Sequence, residues 1–222
     1  MLNASTLYFL EQLKINNHKE WFENNRNLYN NAKANYLQLV TDILKELSKT
    51  DASLSFLQAK DCTYRINRDV RFSKNKAPYK TNMGAGISKG GKKLMLAGYY
   101  LHCEPSQSFI AAGVWMPLAP ELKKIRQEID YSFEEFKTIV EDKSLQKLNI
   151  SLEKGKDVML TRPPKGYDEL NPAIDFLKMK SFILSTSISD KTLTSKHLVD
   201  TVVTACNTMK PFIDFLNRGL EG

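Results

Sequence analysis

A chain of 222 residues with 42% hydrophobic and 26% charged residues is long enough to bury a sizeable core, and its composition excludes the disordered and fibrous classes. The formal net charge is +7, and the excess is local: residues 60–93 carry ten Lys or Arg against Asp61 and Asp69, which puts +8 there and −1 in the remainder. A positive field concentrated in one segment points to an acidic partner, whereas an evenly basic surface speaks mainly of solubility.

The longest apolar run, residues 94–101, has eight residues, far short of the roughly 20 that a membrane-spanning helix needs. The amino-terminal stretch has no basic leader ahead of an apolar core. Cys62, Cys103 and Cys206 are odd in number and far apart, a pattern that suits thiols in a reducing compartment better than a disulfide framework. A cytoplasmic protein without a membrane segment is expected.

In chain order, Ser5 can cap a first helix running to Leu13, with Leu7, Leu10 and Leu13 on its apolar stripe and Asn16 and Asn17 breaking it. A longer helical pattern begins at His18 and carries Trp21, Phe22, Leu28, Tyr29, Ala32, Tyr36, Leu39, Val40, Ile43 and Leu47; Asn24, Asn25, Asn30 and Asn31 mark a bend or break in it. Residues 63–67 favour a strand and 67–69 a turn, and Pro78 ends any long element. Residues 83–88, 94–104 and 109–115 read as an antiparallel meander turning at Gly90–Gly91 and at Pro105–Ser106. After Pro117 helices return: Pro120 opens one carrying Leu122, Ile125 and Ile129, and Ser132 with Glu135 makes a capping-box signature ahead of Phe136. The prolines make residues 160–172 irregular, residues 180–187 are β-like, and a final helix carries Leu198, Val202, Ala205, Met209, Phe212 and Leu216, with Pro211 a kink point. The expected fold is α+β: one domain over residues 1–222, its antiparallel meander packed with N-terminal and C-terminal helices.

Several chemistries lack their residues. His18, His102 and His197 are isolated, with no metal-ligand spacing, so neither a metal site nor a cofactor is expected. His102, on a predicted strand beside Tyr100, reads as a core or edge histidine. Gly86 followed by Gly91 and Lys92 mimics a phosphate-binding loop, but Lys93 stands where Ser or Thr should be and a strand follows instead of a helix. A basic hairpin turn accounts for it.

Residues 62–82 hold the densest signal. Arg65, Arg68, Arg71, Lys74, Lys76 and Lys80 face one acid, Asp69, with Tyr64, Phe72 and Tyr79 among them. A guanidinium can fork two donors onto one carboxylate or phosphate, and three arginines within seven residues cannot all be partners of Asp69. In the first reading these residues bind a small anionic ligand, phosphate- or carboxylate-bearing: Arg65, Arg68, Arg71 and Lys80 hold the anion, Lys76 or Tyr79 assists, Asp69 orients an arginine, and Arg162 and Lys165 close over it from the Pro-rich loop. Whether such a site turns its ligand over is left open. In the second, the chain is a non-enzymatic scaffold or docking module, whose arginines form a lattice with acids such as Glu20, Glu23, Glu104 or Asp168, or whose Lys89, Lys92 and Lys93 meet an acidic protein. In the third, Tyr64, Phe72 and Tyr79 stack the bases of a nucleic acid, although no named nucleic-acid motif is present. Nothing in the sequence bears on oligomeric state.

The run from Arg65 through Arg68-Asp69, Arg71-Phe72-Ser73, Lys76, Pro78-Tyr79-Lys80 and Thr81 resembles the signature of the domain-of-unknown-function 2461 family. So do Trp21–Phe22, Gly113-Val114-Trp115-Met116-Pro117, Arg162-Pro163-Pro164-Lys165-Gly166 and Lys180-Ser181-Phe182. Asn75 stands where an acid is expected between two lysines, and Ala111–Ala112 replace glycines before Gly113. The resemblance implies one domain over most of the chain and brings no established activity, substrate or catalytic residue with it.

Overall fold

The structure, a computed structural model, describes residues 1–91 and 94–222. The expected place of Lys92 and Lys93, in the basic turn, lies outside the described residues. The fold is α+β, with an antiparallel sheet preceded and followed in the chain by helical segments. The chain divides into two compact units, one of Met1–Ile87, Tyr100–Ile110 and Ser187–Thr204, the other of Ser88–Tyr99, Ala111–Thr186 and Ala205–Gly222.

The first unit begins with α1 (Ala4–Ile15), α2 (Lys19–Asn24) and α3 (Arg26–Leu47). Asn3, one residue outside the helix, is the N-cap of α1, and Ser5 lies inside it; the start differs from expectation by the two residues over which helix termini commonly vary. Asn16 ends α1, donating its carboxamide to the Gln12 carbonyl. The long pattern from His18 is broken at Asn25, whose carboxamide donates to the Trp21 carbonyl at 2.9 Å; Asn30 and Asn31 leave α3 intact. Phe9, Leu10 and Leu13 of α1 and Leu39, Val40, Ile43 and Leu47 of α3 form the buried seam of this unit.

After the short α4 (Ala59–Cys62), residues 63–67 form no named strand. They run extended and pair through single bridges, Thr63 with Ala85 and Asn67 with Tyr79. The chain does not turn at 67–69. It leaves as an irregular loop and returns at Pro78, where the Arg68 N–H donates to the Pro78 carbonyl at 2.9 Å and the Lys80 N–H to the Ile66 carbonyl at 2.8 Å. Pro78 has no N–H to offer a longer ladder.

The sheet contains β1 (Met83–Ile87), β2 (Gly98–Cys103), β3 (Ser108–Val114), β4 (Ser151–Leu152) and β5 (Phe182–Ile188), in the order β1-β2-β3-β5-β4. Burial alternates along β2: Tyr99, Leu101 and Cys103 are buried, and Tyr100 and His102 occupy the other face, as the period of two requires. The turn between β2 and β3 has Pro105 followed by Ser106 at φ 64°, and Asp190 accepts from the Ser106 N–H at 3.0 Å. β4, a strand too short to have shown a pattern, pairs antiparallel with β5, Ser151 opposite Ser185.

In the second unit, α5 (Ala119–Tyr131) buries Ile125 and Ile129, and α6 (Phe133–Val140) buries Phe136 among Phe176, Phe212 and Phe215. Ser132 is the N-cap of α6, as its capping-box spacing suggests, but its side chain makes no cap hydrogen bond. The short helices α7 (Lys143–Lys147) and α8 (Ile174–Leu177) follow in this unit; α9 (Asp190–Leu193) belongs to the first unit, and α10 (Leu198–Glu221), which contains Pro211, has its residues up to Thr204 in the first unit and the remainder in the second. The buried Asn217 carboxamide accepts from the Ala97 N–H at 2.8 Å and donates to the Ala97 carbonyl at 3.3 Å, so a polar group taken out of water is satisfied at both ends. Gly113, at φ 134°, packs so closely that a Cβ would collide with the Phe182 carbonyl. Cys62, Cys103 and Cys206 are all buried and none is in a disulfide. No helix among the described residues is long and apolar enough to cross a membrane.

Candidate functional site

Within the first unit, α2 and α3 carry two seven-residue registers. Phe22, Tyr29 and Tyr36 are one, and Lys19, Arg26 and Lys33, three positions earlier, are the other. Seven residues are close to two helical turns, so each register lies along one face. Phe22 and Tyr36 are buried, Tyr29 is half-buried, and the three cations are exposed.

Against this face run residues 63–67 and 78–83, and two depressions lie between. The larger, about 580 Å³, is lined by Lys19, Phe22, Glu23, Arg26, Tyr29 and Lys33 on the helical side and by Ile66, Asn67, Pro78 and Tyr79 opposite. The smaller, about 290 Å³, is lined by Tyr29, Lys33 and Tyr36 and by Lys60, Tyr64, Arg65, Ile66, Asn82 and Met83. Tyr29, Lys33 and Ile66 belong to both, so the two are lobes of one groove. Volumes on the order of 300–1,000 Å³ are those of small-molecule sites.

The charge in the groove is one-sided. Lys19, Arg26, Lys33, Lys60 and Arg65 line it, and Glu23 is the one carboxylate among the described lining residues. Glu23 is already engaged: Arg26 donates to it from Nε at 2.9 Å and from Nη2, which holds the Glu23 carboxyl below its usual range. Among the described residues the side chains of Lys33, Lys60 and Arg65 make no hydrogen bond or ion pair. The floor is aromatic. Tyr79 stacks on Phe22 at 4.0 Å between ring centroids and 15° between planes, and Phe22 meets Tyr29 at 5.0 Å. Burial raises the Tyr29 and Tyr79 phenols.

Behind the smaller lobe stands a polar chain built on β2. Tyr100, His102 and the following Glu104 share one face through the strand's period of two. His102 Nε2 lies 3.1 Å from Glu104 Oε2, and its Nδ1 lies 3.2 Å from Tyr100 Oη and 3.3 Å from Asn82 Nδ2. The Asn82 amide can only donate, so Nδ1 is the acceptor and Nε2–H donates to Glu104. Thr81 donates to the other Glu104 oxygen at 2.8 Å, and Phe109 stacks on the imidazole at 4.6 Å. Burial pushes the Tyr100 phenol up to about 12, so it stays protonated at neutral pH. Gly84 makes room for it: a Cβ there would come 2.5 Å from Tyr100 Oη. Asn82 belongs both to this chain and to the groove wall.

The model of the family described as "Conserved hypothetical protein (DUF2461)" matches residues 5–215. The chain belongs to that family. The match spans every residue of the groove and of the Tyr100–His102–Glu104 chain. No curated protein and no solved structure matches the chain.

Of the residues singled out in the sequence, Arg65 and Tyr79 line the groove, Tyr79 as part of its buried floor. Four others serve the irregular loop of residues 68–78. Arg68 donates to the Ala77 carbonyl at 2.9 Å and to Ser73 Oγ at 3.4 Å. Arg71 forks onto Asp69 at 3.0 and 2.6 Å, which keeps the Asp69 carboxyl below its usual range. Lys76 donates to the Val70 carbonyl at 3.0 Å. The Lys80 ammonium stands over the Tyr64 ring, 5.5 Å from its centroid. Arg162 and Lys165 belong to the second unit and are exposed, Lys165 on the rim of a separate open depression with Lys123, Tyr167 and Arg218. Three of the four acids suggested for a lattice have other partners: Glu23 holds Arg26, Glu104 holds Thr81 and His102, and Asp168 accepts from the Leu170 N–H.

Sequence reasoning passed over Lys19, Arg26, Lys33 and Lys60. The shared heptad spacing of cations and aromatics from 19 to 36 was the available signal. The alternation Tyr100, His102, Glu104 was equally visible, because a strand puts such residues on one face.

Proposed function

We propose that this protein binds a small anionic ligand, bearing phosphate or carboxylate, in the groove between α2–α3 and residues 63–67 and 78–83. The observation that carries the reading is the group of Lys33, Lys60 and Arg65, which line one concavity and make no side-chain hydrogen bond or ion pair among the described residues, beside a carboxylate already taken by Arg26. Like charges gathered in a cleft repel one another and focus a positive potential into it, and a bound anion relieves both. Arg65 and Tyr79 contribute directly. Arg68, Asp69, Arg71 and Lys76 act through the loop they hold, and Lys80 through Tyr64.

Whether the ligand is turned over is left open: the Tyr100–His102–Glu104 chain ends at Asn82 in the groove wall, and both of its imidazole nitrogens are engaged within the chain. Cytoplasmic placement is supported by three buried cysteines outside any disulfide. For the loop itself, a structural lattice is the reading favoured by the internal bonds of Arg68 and Lys76.

The test is the thermal midpoint in phosphate or sulfate against chloride at matched ionic strength. A ligand at a hundred times its dissociation constant stabilises by about 2.7 kcal/mol, and this increment should vanish in Lys33→Ala/Arg65→Ala. An increment of the same size in that variant, or none in the unaltered protein, would overturn the reading.

A further inference from the structure

The groove's geometry specifies more than an anion. Its two lobes share Tyr29, Lys33 and Ile66, and each has cations of its own: Lys19 and Arg26 in the larger, Lys60 and Arg65 in the smaller. Arg26 and Lys33 are separated by two turns of α3, about 10 Å along its axis, and Tyr29 stands between them. The Tyr29 ring is half-buried, packed against Phe22 and Phe9 at 5.0 and 5.9 Å. Its hydroxyl makes no hydrogen bond among the described residues. A single phosphate in the smaller lobe would leave Lys19 without an anion and Arg26 with Glu23 alone.

We propose that the ligand has two anionic groups on either side of a body that carries a planar ring. One anionic group is held at Lys19 and Arg26, the other at Lys60 and Arg65, with Lys33 reaching either. The body crosses the waist against Tyr29, whose hydroxyl is available as a donor. A nucleoside bisphosphate has this chemistry: two phosphates flanking a ribose, and on that ribose a flat base that can stack on a tyrosine ring. The inference rests on the anion-binding reading above and narrows it.

Isothermal titration with adenosine 3′,5′-bisphosphate, 5′-AMP, 3′-AMP, fructose 1,6-bisphosphate and inorganic phosphate tests it. The adenosine bisphosphate should bind at least tenfold more tightly than either monophosphate and more tightly than the sugar bisphosphate. Lys19→Ala and Arg65→Ala, both at exposed positions, should each bring its affinity close to that of a monophosphate, and Tyr29→Phe should preserve the preference for the nucleoside body over the sugar.

A monophosphate binding as tightly as the bisphosphate would overturn the two-headed ligand and leave the anion groove standing. Equal binding of the two bisphosphates would overturn the planar ring. Failure of every probe, inorganic phosphate included, would remove the anion groove as well. A short oligodeoxythymidylate binding far more tightly than the adenosine bisphosphate, with a steep salt dependence, would replace the small ligand with single-stranded nucleic acid.

Discussion

The carboxamide of Asn17 is paired with the main chain of Tyr79: its Nδ2 donates to the Tyr79 carbonyl at 3.0 Å and its Oδ1 accepts from the Tyr79 N–H at 3.0 Å. One side chain between α1 and α2 thereby holds the strand-like return of the basic loop, 62 residues on, with the Tyr79 ring pressed onto Phe22. Asn17→Ala leaves a part-buried N–H and carbonyl without partners, at a cost of about 1–3 kcal/mol. Urea denaturation should show that loss. Amide exchange at Tyr79 and Lys80 should accelerate more than exchange in α10. Uniform acceleration would refute a local clamp.

Two glycines with positive φ should respond very differently to alanine. Gly91, at φ 58°, has open space where a methyl group would stand, with nothing within 4 Å, and Gly113, at φ 134°, faces the Phe182 carbonyl. Gly91→Ala should cost about 1 kcal/mol, the left-handed penalty alone. Gly113→Ala combines a backbone region open almost only to glycine with a backbone collision, and it should cost several-fold more or prevent soluble expression. Comparable denaturation midpoints for the two would contradict the packing at β3.

Arg68 and Arg71 look equivalent in sequence and should not behave so. The Arg71–Asp69 pair is exposed, with 76% and 46% of the two side chains accessible, and solvent screening leaves such pairs little net contribution. Arg68 binds the Ala77 carbonyl from a part-buried position, where a charged hydrogen bond contributes roughly 1.5–3 kcal/mol. Arg68→Ala should therefore increase proteolysis within residues 68–78, and Arg71→Ala should leave both stability and phosphate binding near those of the unaltered protein.

The imidazole of His102 should be found as its Nε2–H tautomer, because Asn82 donates to Nδ1 and Glu104 takes the other proton. Nitrogen-15 correlation spectra distinguish the two tautomers, and three histidines in the chain make assignment tractable. In Glu104→Gln the fixed acceptor is lost, and a mixture of tautomers is expected. A native Nδ1–H form would mean that the polar chain is wired the other way.

Burial governs the alkaline limit. Cys103 and Tyr100 are each pushed up to about 12, from ordinary values of 9.0 and 10.0, and the buried Tyr36 is raised well above its ordinary value. A folded-state pKa above the unfolded one means that the unfolded chain loses these protons first. The stability they contribute is fully present below about pH 9 and declines as pH rises toward about 12, at a slope of about 1.4 kcal/mol per pH unit for each group in its window. Urea midpoints should fall over that range, and less steeply in Cys103→Ala compared with its own neutral-pH midpoint. A flat profile would show that these groups are not shielded.

Much of the sheet was legible because its signals are local. β1 and β2 fall within the expected stretches and β3 begins one residue ahead of its own, and the turns follow from Gly91, free to take a positive φ, and from the fixed φ of Pro105. The two-residue β4 and the four-residue α4, α8 and α9 carried no pattern long enough to read. The groove was harder. Lys19 and Lys33 lie in stretches of ordinary charge, Lys60 stands at the very edge of the basic segment, and they share a groove with Arg65 only through the packing of α3 against residues 63–67. The most conspicuous cluster was a poor guide for a physical reason: in a tight loop the nearest acceptors for Arg68 and Lys76 are the loop's own carbonyls, and neighbours in sequence satisfied charges that appeared to be offered outward.

Three thiols shut inside the fold make this molecule its own reporter of opening. Cys62 and Cys103 lie in the first unit and Cys206 in the second, so an alkylating reagent can reach each only when the surrounding unit loosens. The order in which they are modified under mild denaturant would record which unit yields first, without any label having to be engineered into the chain.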